Sequence, residues 1–183
     1  MVPAKGTILI AEPFLRDIYF QRSVALLVNH GEQGSMGFVL NHKLLFCVND
    51  FFDELKNVPK IPVYLGGPVA ANRLFFIHSI ESLIKNSEQI TDNLYFDGDF
   101  EGLMYHLQTG KLLNDKVKFF IGYSGWTENQ LDREINENSW LVGKASDEKM
   151  MLAEDESFWT ECVKNMGEEY LTWLNYPKDP TLN

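Results

Sequence analysis

Apolar and polar positions alternate over "GTILIAE", a stretch rich in branched side chains, and the pattern predicts a first strand ended by Pro13. "RSVALLVN" and "MGFVLN" predict two more strands, joined into a hairpin by "HGEQGS", where Gly31 and Gly34 supply the turn. A short helix is expected around "NDFFDELKN", with Asn49 or Asp50 as its N-cap and Phe52 and Leu55 three apart. "IPVYLGGPV" reads as a strand broken by two glycines and a proline, and "RLFFIHS" and "NLYF" as further strands. The helical spacing in "FEGLMYHLQTG" sits between Asp99, a candidate N-cap, and Gly110, a C-terminal stop. "VKFFIGY" is a strand, after which Thr127 and Gln130 form a capping box that opens a helix carrying Leu131 and Ile135 on one face. "WLVGK" predicts another strand. The last helix begins near "EDES", whose acids suit the positive end of the helix dipole, and Phe158, Cys162, Val163 and Met166 form its apolar face before Gly167.

Strands and helices mix without βαβ alternation, and the early hairpin is antiparallel, so the predicted class is α+β with a mixed sheet, one domain over 1–183. No repeat or linker interrupts it, and the tail "NYPKDPTLN", with two prolines, should be an irregular surface end. Hydrophobic residues at 45% and charged residues at 23% exclude a disordered or fibrous chain. Charge changes the picture more. Residues 127–183 hold 13 acidic and 5 basic residues, against 13 and 11 in residues 1–126, and this acidic third argues against direct nucleic-acid binding. Cys47 and Cys162 lack metal or redox spacing and fit buried, reduced thiols. "MVPAKGTILIAEPF" lacks a secretory pattern and no apolar run reaches the ~20 residues of a membrane helix, so a cytoplasmic protein without a membrane role is expected.

The candidate chemistry centres on "FIGYSGWTENQLDREI". Ser124 between Gly122 and Gly125 invites comparison with a nucleophile turn, but the G-x-S-x-G spacing is one residue short and Trp126 stands where a small residue is needed. No acid and histidine follow in the matching order. As an anion cradle the stretch has glycines before a helix N-terminus, but neither nucleotide fingerprint, and Glu128 would repel an anion. The bland alternative is that the glycines turn the chain and Trp126 packs over the sheet. His30, His42, His78 and His106 lack ligand spacing, so no metal is expected, and no cofactor either. Arg22, beside an apolar strand, pairs with an acid such as Asp17 or, if it points into a concavity with His30 and the 122–126 turn, holds a carboxylate or phosphate. Arg16 flanks the same segment.

The pieces together resemble the AlgH/YqgE family of small bacterial proteins. The matching stretches are "KGTILIAEPFLRDIYFQRSV", "HGEQGSMGFVLN", "GGPV" and "GYSGWTENQLDREI" leading to Trp140, with "KNMGEEYLTWLNYPKDPTLN" resembling one subgroup's tail. Ser124 departs from the family's usual alanine, and His42-Lys43 replaces a basic residue and proline after Asn41. The resemblance implies an α+β fold whose mixed sheet curls towards a small barrel surrounded by helices. It implies no established reaction, although members are often labelled transcriptional regulators.

The expectation from the sequence is a cytoplasmic, non-enzymatic regulatory or ligand-binding module acting on a protein partner or a small anionic ligand. Its site would lie where the turns converge: Arg22, His30, Asn41, Gly66, Gly67, Gly122, Tyr123, Ser124, Gly125 and Trp126. The alternative is an enzyme using the glycine-rich site around residues 122–126.

Overall fold

A computed structural model describes residues 1–177 except 16, 18, 81, 83 and 111–113, so Arg16 and the tail beyond Pro177 lie outside the described residues. Ten strands form one mixed sheet: β1 (Ile8–Ala11), β2 (Val24–Gly31), β3 (Gly34–Val39), β4 (Lys43–Cys47), β5 (Pro62–Leu65), β6 (Val69–His78), β7 (Glu88–Gln89), β8 (Tyr95–Phe96), β9 (Val117–Trp126) and β10 (Trp140–Gly143). Their path runs β10-β1-β2-β3-β9-β6-β8-β7, with β5 parallel to β9 and β4 antiparallel to β5. The curl stops short of closure, because β10 and β7 end the path without pairing each other.

The sheet buries both faces, and strand alternation divides the core accordingly. Ile8, Ile10, Val24 and Leu26 point to one side, where α3 (Asp147–Leu152) and α4 (Glu156–Met166) bring Met150, Phe158, Trp159 and Val163. Leu9, Ala11, Ala25 and Leu27 point to the other, against Trp126, Trp140 and Leu131 of α2 (Gln130–Asn136). A further cluster joins Val63, Phe76 and Phe119 to α1 (Phe100–Gln108) through Leu103 and Leu107. Asp99 caps α1 by accepting from the Gly102 amide at 3.0 Å, as its sequence predicts. Asp155 caps α4 by accepting from Ser157 at 2.8 Å.

Several boundaries differ from the sequence reading. The hairpin turn is shorter than "HGEQGS": His30 and Ser35 are already paired across the strands, and Gly31 opposes Gly34. Residues 43–47 form β4, and the helix expected around Asn49 is two 3₁₀ turns, Val48–Asp50 and Asp53–Leu55. Asn49 does not cap them but gathers the loop instead, donating to Leu55 O at 2.7 Å and accepting from Ile61 N at 2.8 Å. Most important, β9 does not stop at Tyr123. Gly122, at φ +68°, kinks the strand, and beyond it Ser124–Trp126 pair with Ser35–Gly37 of β3. The stretch read as a glycine turn is therefore the second half of a long strand.

Candidate functional site

Two of the expected turns do meet, but as packed backbone. A Cβ on Gly66 would strike the Gly122 carbonyl, one on Gly67 the Ser124 hydroxyl, and one on Gly122 the Gly67 carbonyl, so only glycines permit this crossing. Ser124 is fully buried and donates to Gly66 O at 2.9 Å. With its proton committed to a carbonyl and no base beside it, it is a structural hydroxyl. Tyr123 packs edge-on against Phe75 at 5.7 Å, and Gly125, the exposed member, pairs with Met36.

Trp126 is a core residue, 5% exposed. Its indole N–H and that of Trp140 both donate to one carboxylate oxygen of Glu134 at 2.9 Å, while Gln130 donates to the other at 2.8 Å. The two indole rings lie edge-to-face at 5.9 Å. Glu134 thus clamps α2 to the ends of β9 and β10. The capping box is half made: Thr127 N donates to the Gln130 side chain at 2.9 Å, but the helix starts three residues later, with Asn129 at φ +58° in the N-cap position and no side-chain capping bond. A seven-residue helix with that start is no anion cradle.

The histidines are dispersed. His30 bonds Ser35 Oγ at 2.8 Å across the hairpin, roughly 25 Å along β2 from Arg22, so the two never share a concavity. His78 is buried and Nδ1 accepts from Ile80 N at 3.2 Å, which puts its proton on Nε2, facing Ser87 Oγ at 2.8 Å and Asp97 O. Ser87 in turn donates to Ile84 O. The ring is a donor here, not a base poised to take the serine proton. Among the described residues no group of three or more His, Cys, Asp or Glu is placed to hold a metal ion.

Arg22 and Asn41 stand elsewhere, together, at an open cleft of about 540 Å³ lined by Gln21, Arg22, Asn41, His42, Lys43, Glu154, Asp155 and Glu156. Arg22 takes φ +50°, which turns its side chain to the start of α4, and its partner is Glu156 rather than Asp17. Its guanidinium also donates to Tyr176 O, lies 5.2 Å from the centre of the Trp159 ring, and leaves Nε buried without a partner. Asn41 fixes this geometry from below. It accepts from Val24 N at 2.9 Å and donates to the carbonyls of Arg22 and Asp155 at 3.0 and 3.2 Å. Across the cleft Lys43 pairs with Glu154 at 2.9 Å, and burial holds His42 below its usual pKa and hence neutral.

Beneath the cleft lies a group the sequence reading missed. Lys118 is 2% exposed, with its ammonium 3.7 Å from the centre of the Tyr64 ring and donating to the carbonyls of Met151 and Ala153 at the end of α3. Burial pushes its pKa down to about 7, against the pull of Glu154. The Tyr64 hydroxyl, raised by burial and by the same Glu154, reaches that carboxylate at 3.4 Å. The available signal was a lone lysine inside the apolar run "VKFFIG".

The fold is therefore a mixed ten-stranded sheet with helices on its faces, a glycine crossing at its centre and a charged cleft at one margin. The chain belongs to the AlgH-like family, whose pattern it matches over residues 8–171. A UPF0301 protein of Parabacteroides distasonis is 54% identical over all of this chain and 93% of its own length. One from Cytophaga hutchinsonii is 42% identical over 98% of both. Among solved structures, the AlgH protein from Pseudomonas aeruginosa superposes with a TM-score of 0.72 at 25% identity, covering 97% of this chain and 98% of that one. A Corynebacterium diphtheriae protein superposes at 0.77 with 22% identity, over 94% and 92%, and shares the fold.

Proposed function

We propose that this protein is a cytoplasmic, non-enzymatic regulatory module that binds a protein partner or a small anionic ligand in the cleft around Arg22, Asn41, His42 and Lys43. The observation that supports this reading is the state of the two cations. Arg22 and Lys43 each hold a carboxylate of the 154–156 segment at an open surface, so the positions suited to an incoming carboxylate or phosphate are filled by the chain's own side chains. An exposed pair such as Lys43–Glu154 is worth only ~0–1 kcal/mol, so exchanging its carboxylate for a ligand's costs little. Asp155, held ionised by hydrogen bonding to the Ser157 side chain and to its amide, adds an acid for a basic group of the same partner. Regulation through such contacts requires no DNA, in keeping with the acidic C-terminal third.

A thermal-shift screen against inorganic phosphate, small carboxylates and nucleotides tests this. Saturation at a hundred times the dissociation constant adds about 2.7 kcal/mol of stability. A true cleft ligand loses its shift in Lys43→Ala, which leaves the core intact, and keeps it in Ser124→Ala. A shift that survives Lys43→Ala and disappears in Ser124→Ala would refute the assignment.

A further inference from the structure

After α4 the chain turns sharply and runs back to Arg22. Gly167, at φ +137°, makes the turn in a conformation that glycine alone adopts readily, and Glu168–Asn175 then form an eight-residue 3₁₀ helix. Such helices seldom exceed three or four residues, because their hydrogen bonds are poorly aligned. This one is weakly seated. None of its residues is buried, the bond from Tyr176 N to Trp173 O is stretched to 3.4 Å, and Glu168 and Glu169 follow the negative end of the α4 dipole. Tyr170, Trp173 and Leu174 pack against the core only part-buried. At the far end Tyr176 supplies two fastenings: its carbonyl accepts from Arg22 Nη2, and its ring lies 4.7 Å from that of Phe14. With Arg22 Nη1 on Glu156, both terminal nitrogens of the guanidinium are engaged.

We propose that residues 168–176 are a strap, hinged at Gly167, that competes with an oxyanion for Arg22: seated, it withholds the guanidinium from the cleft, and released, it lets a carboxylate or phosphate take its place. The inference rests on the cleft reading and adds its regulation. The guanidinium fork offers two N–H groups to one oxyanion, whereas the strap holds Nη2 with a single uncharged carbonyl, so the oxyanion is the stronger partner. A segment with so little buried surface opens at far lower cost than the core it leaves. The coupling is reciprocal: whatever releases the strap strengthens binding by the same factor as binding favours release.

A phosphate titration of the ¹⁵N-labelled full chain, with amide hydrogen exchange measured at each end, tests the strap. Phosphate should shift the His42 and Lys43 amides and speed exchange at Tyr170 and Tyr176, while Leu40 in the core keeps its rate. Tyr176→Ala removes the ring pair but keeps the carbonyl. It should speed the same exchange without phosphate and tighten phosphate binding about fivefold, because the apparent dissociation constant falls as the released fraction grows. Phe14→Leu should act alike from the other side of the pair, and the two changes combined should add little. If phosphate shifts His42 and Lys43 while strap exchange stays unchanged, or if Tyr176→Ala binds no more tightly, the strap is overturned and the cleft reading stands. No phosphate binding at the cleft overturns both.

Discussion

The glycine crossing at residues 66–67 and 122–125 and the cleft at 21–22, 41–43 and 154–156 are both places where distant segments meet. At the crossing, backbone touches backbone. Gly66 and Gly122 approach so closely that no side chain fits, and the one hydroxyl present, on Ser124, is bonded to a carbonyl. At the cleft the segments meet more loosely, through Lys43 N to Glu154 O at 3.3 Å and through charged side chains that close ion pairs water and ligands can also reach. Dense glycine motifs therefore mark the place where two segments cross backbone against backbone, while chemistry is offered where charges remain at a surface.

The comparison is broken most severely by filling the crossing. Gly122→Ala adds a Cβ at φ +68° against the Gly67 carbonyl, and we expect a loss of about 3 kcal/mol or more in urea unfolding, combining strain and overpacking. Glu134→Ala orphans the indole N–H groups of Trp126 and Trp140, at the end of β9 and the start of β10, and should cost roughly 2–3 kcal/mol, with a shift in tryptophan emission as a second readout.

Lys118 sharpens the comparison, because it is a charge placed in the core rather than in the cleft. Its folded pKa of about 7 lies below the ordinary 10.5, so the unfolded chain binds more protons between those values. Stability should accordingly rise with pH from about 7 to 10.5, with a slope of at most ~1.4 kcal/mol per unit. Lys118→Met should flatten that rise; an unchanged slope would show that Lys118 is not its source. The smallest effect belongs to the cleft, where Lys43→Ala should change stability by ~0–1 kcal/mol by chemical denaturation.

Local signals in the sequence carried much of the architecture. Asp99 caps the helix it was expected to cap, the last helix begins within the acidic EDES stretch as expected, and the hairpin and the α+β class follow from alternation and turn residues. What escaped was set by distance in the chain or by ambiguity of type. Gly122 carries the same letter whether it ends a strand or bends one, and only the pairing of residues 124–126 with β3 decides. Arg22 finds Glu156 across 134 residues, a partnership that no local pattern announces. β4 and α3 are short, and β4 is half-exposed, so neither repeats its period often enough to stand out. Of the ten candidate site residues, Arg22 and Asn41 reach the cleft; His30 stays on the hairpin, and the remaining seven are bound up in the crossing and the tryptophan clamp.

The most direct test of the cleft as the recognition surface is amide chemical-shift mapping by NMR, titrating the ¹⁵N-labelled protein with inorganic phosphate, small carboxylates and nucleotides in turn. The account predicts saturable shifts at Gln21, Arg22, His42, Lys43 and Glu154–Glu156, with Gly66, Gly67 and Gly122–Trp126 silent. Shifts centred on Gly66 and Gly122–Trp126, with the cleft silent, would contradict it.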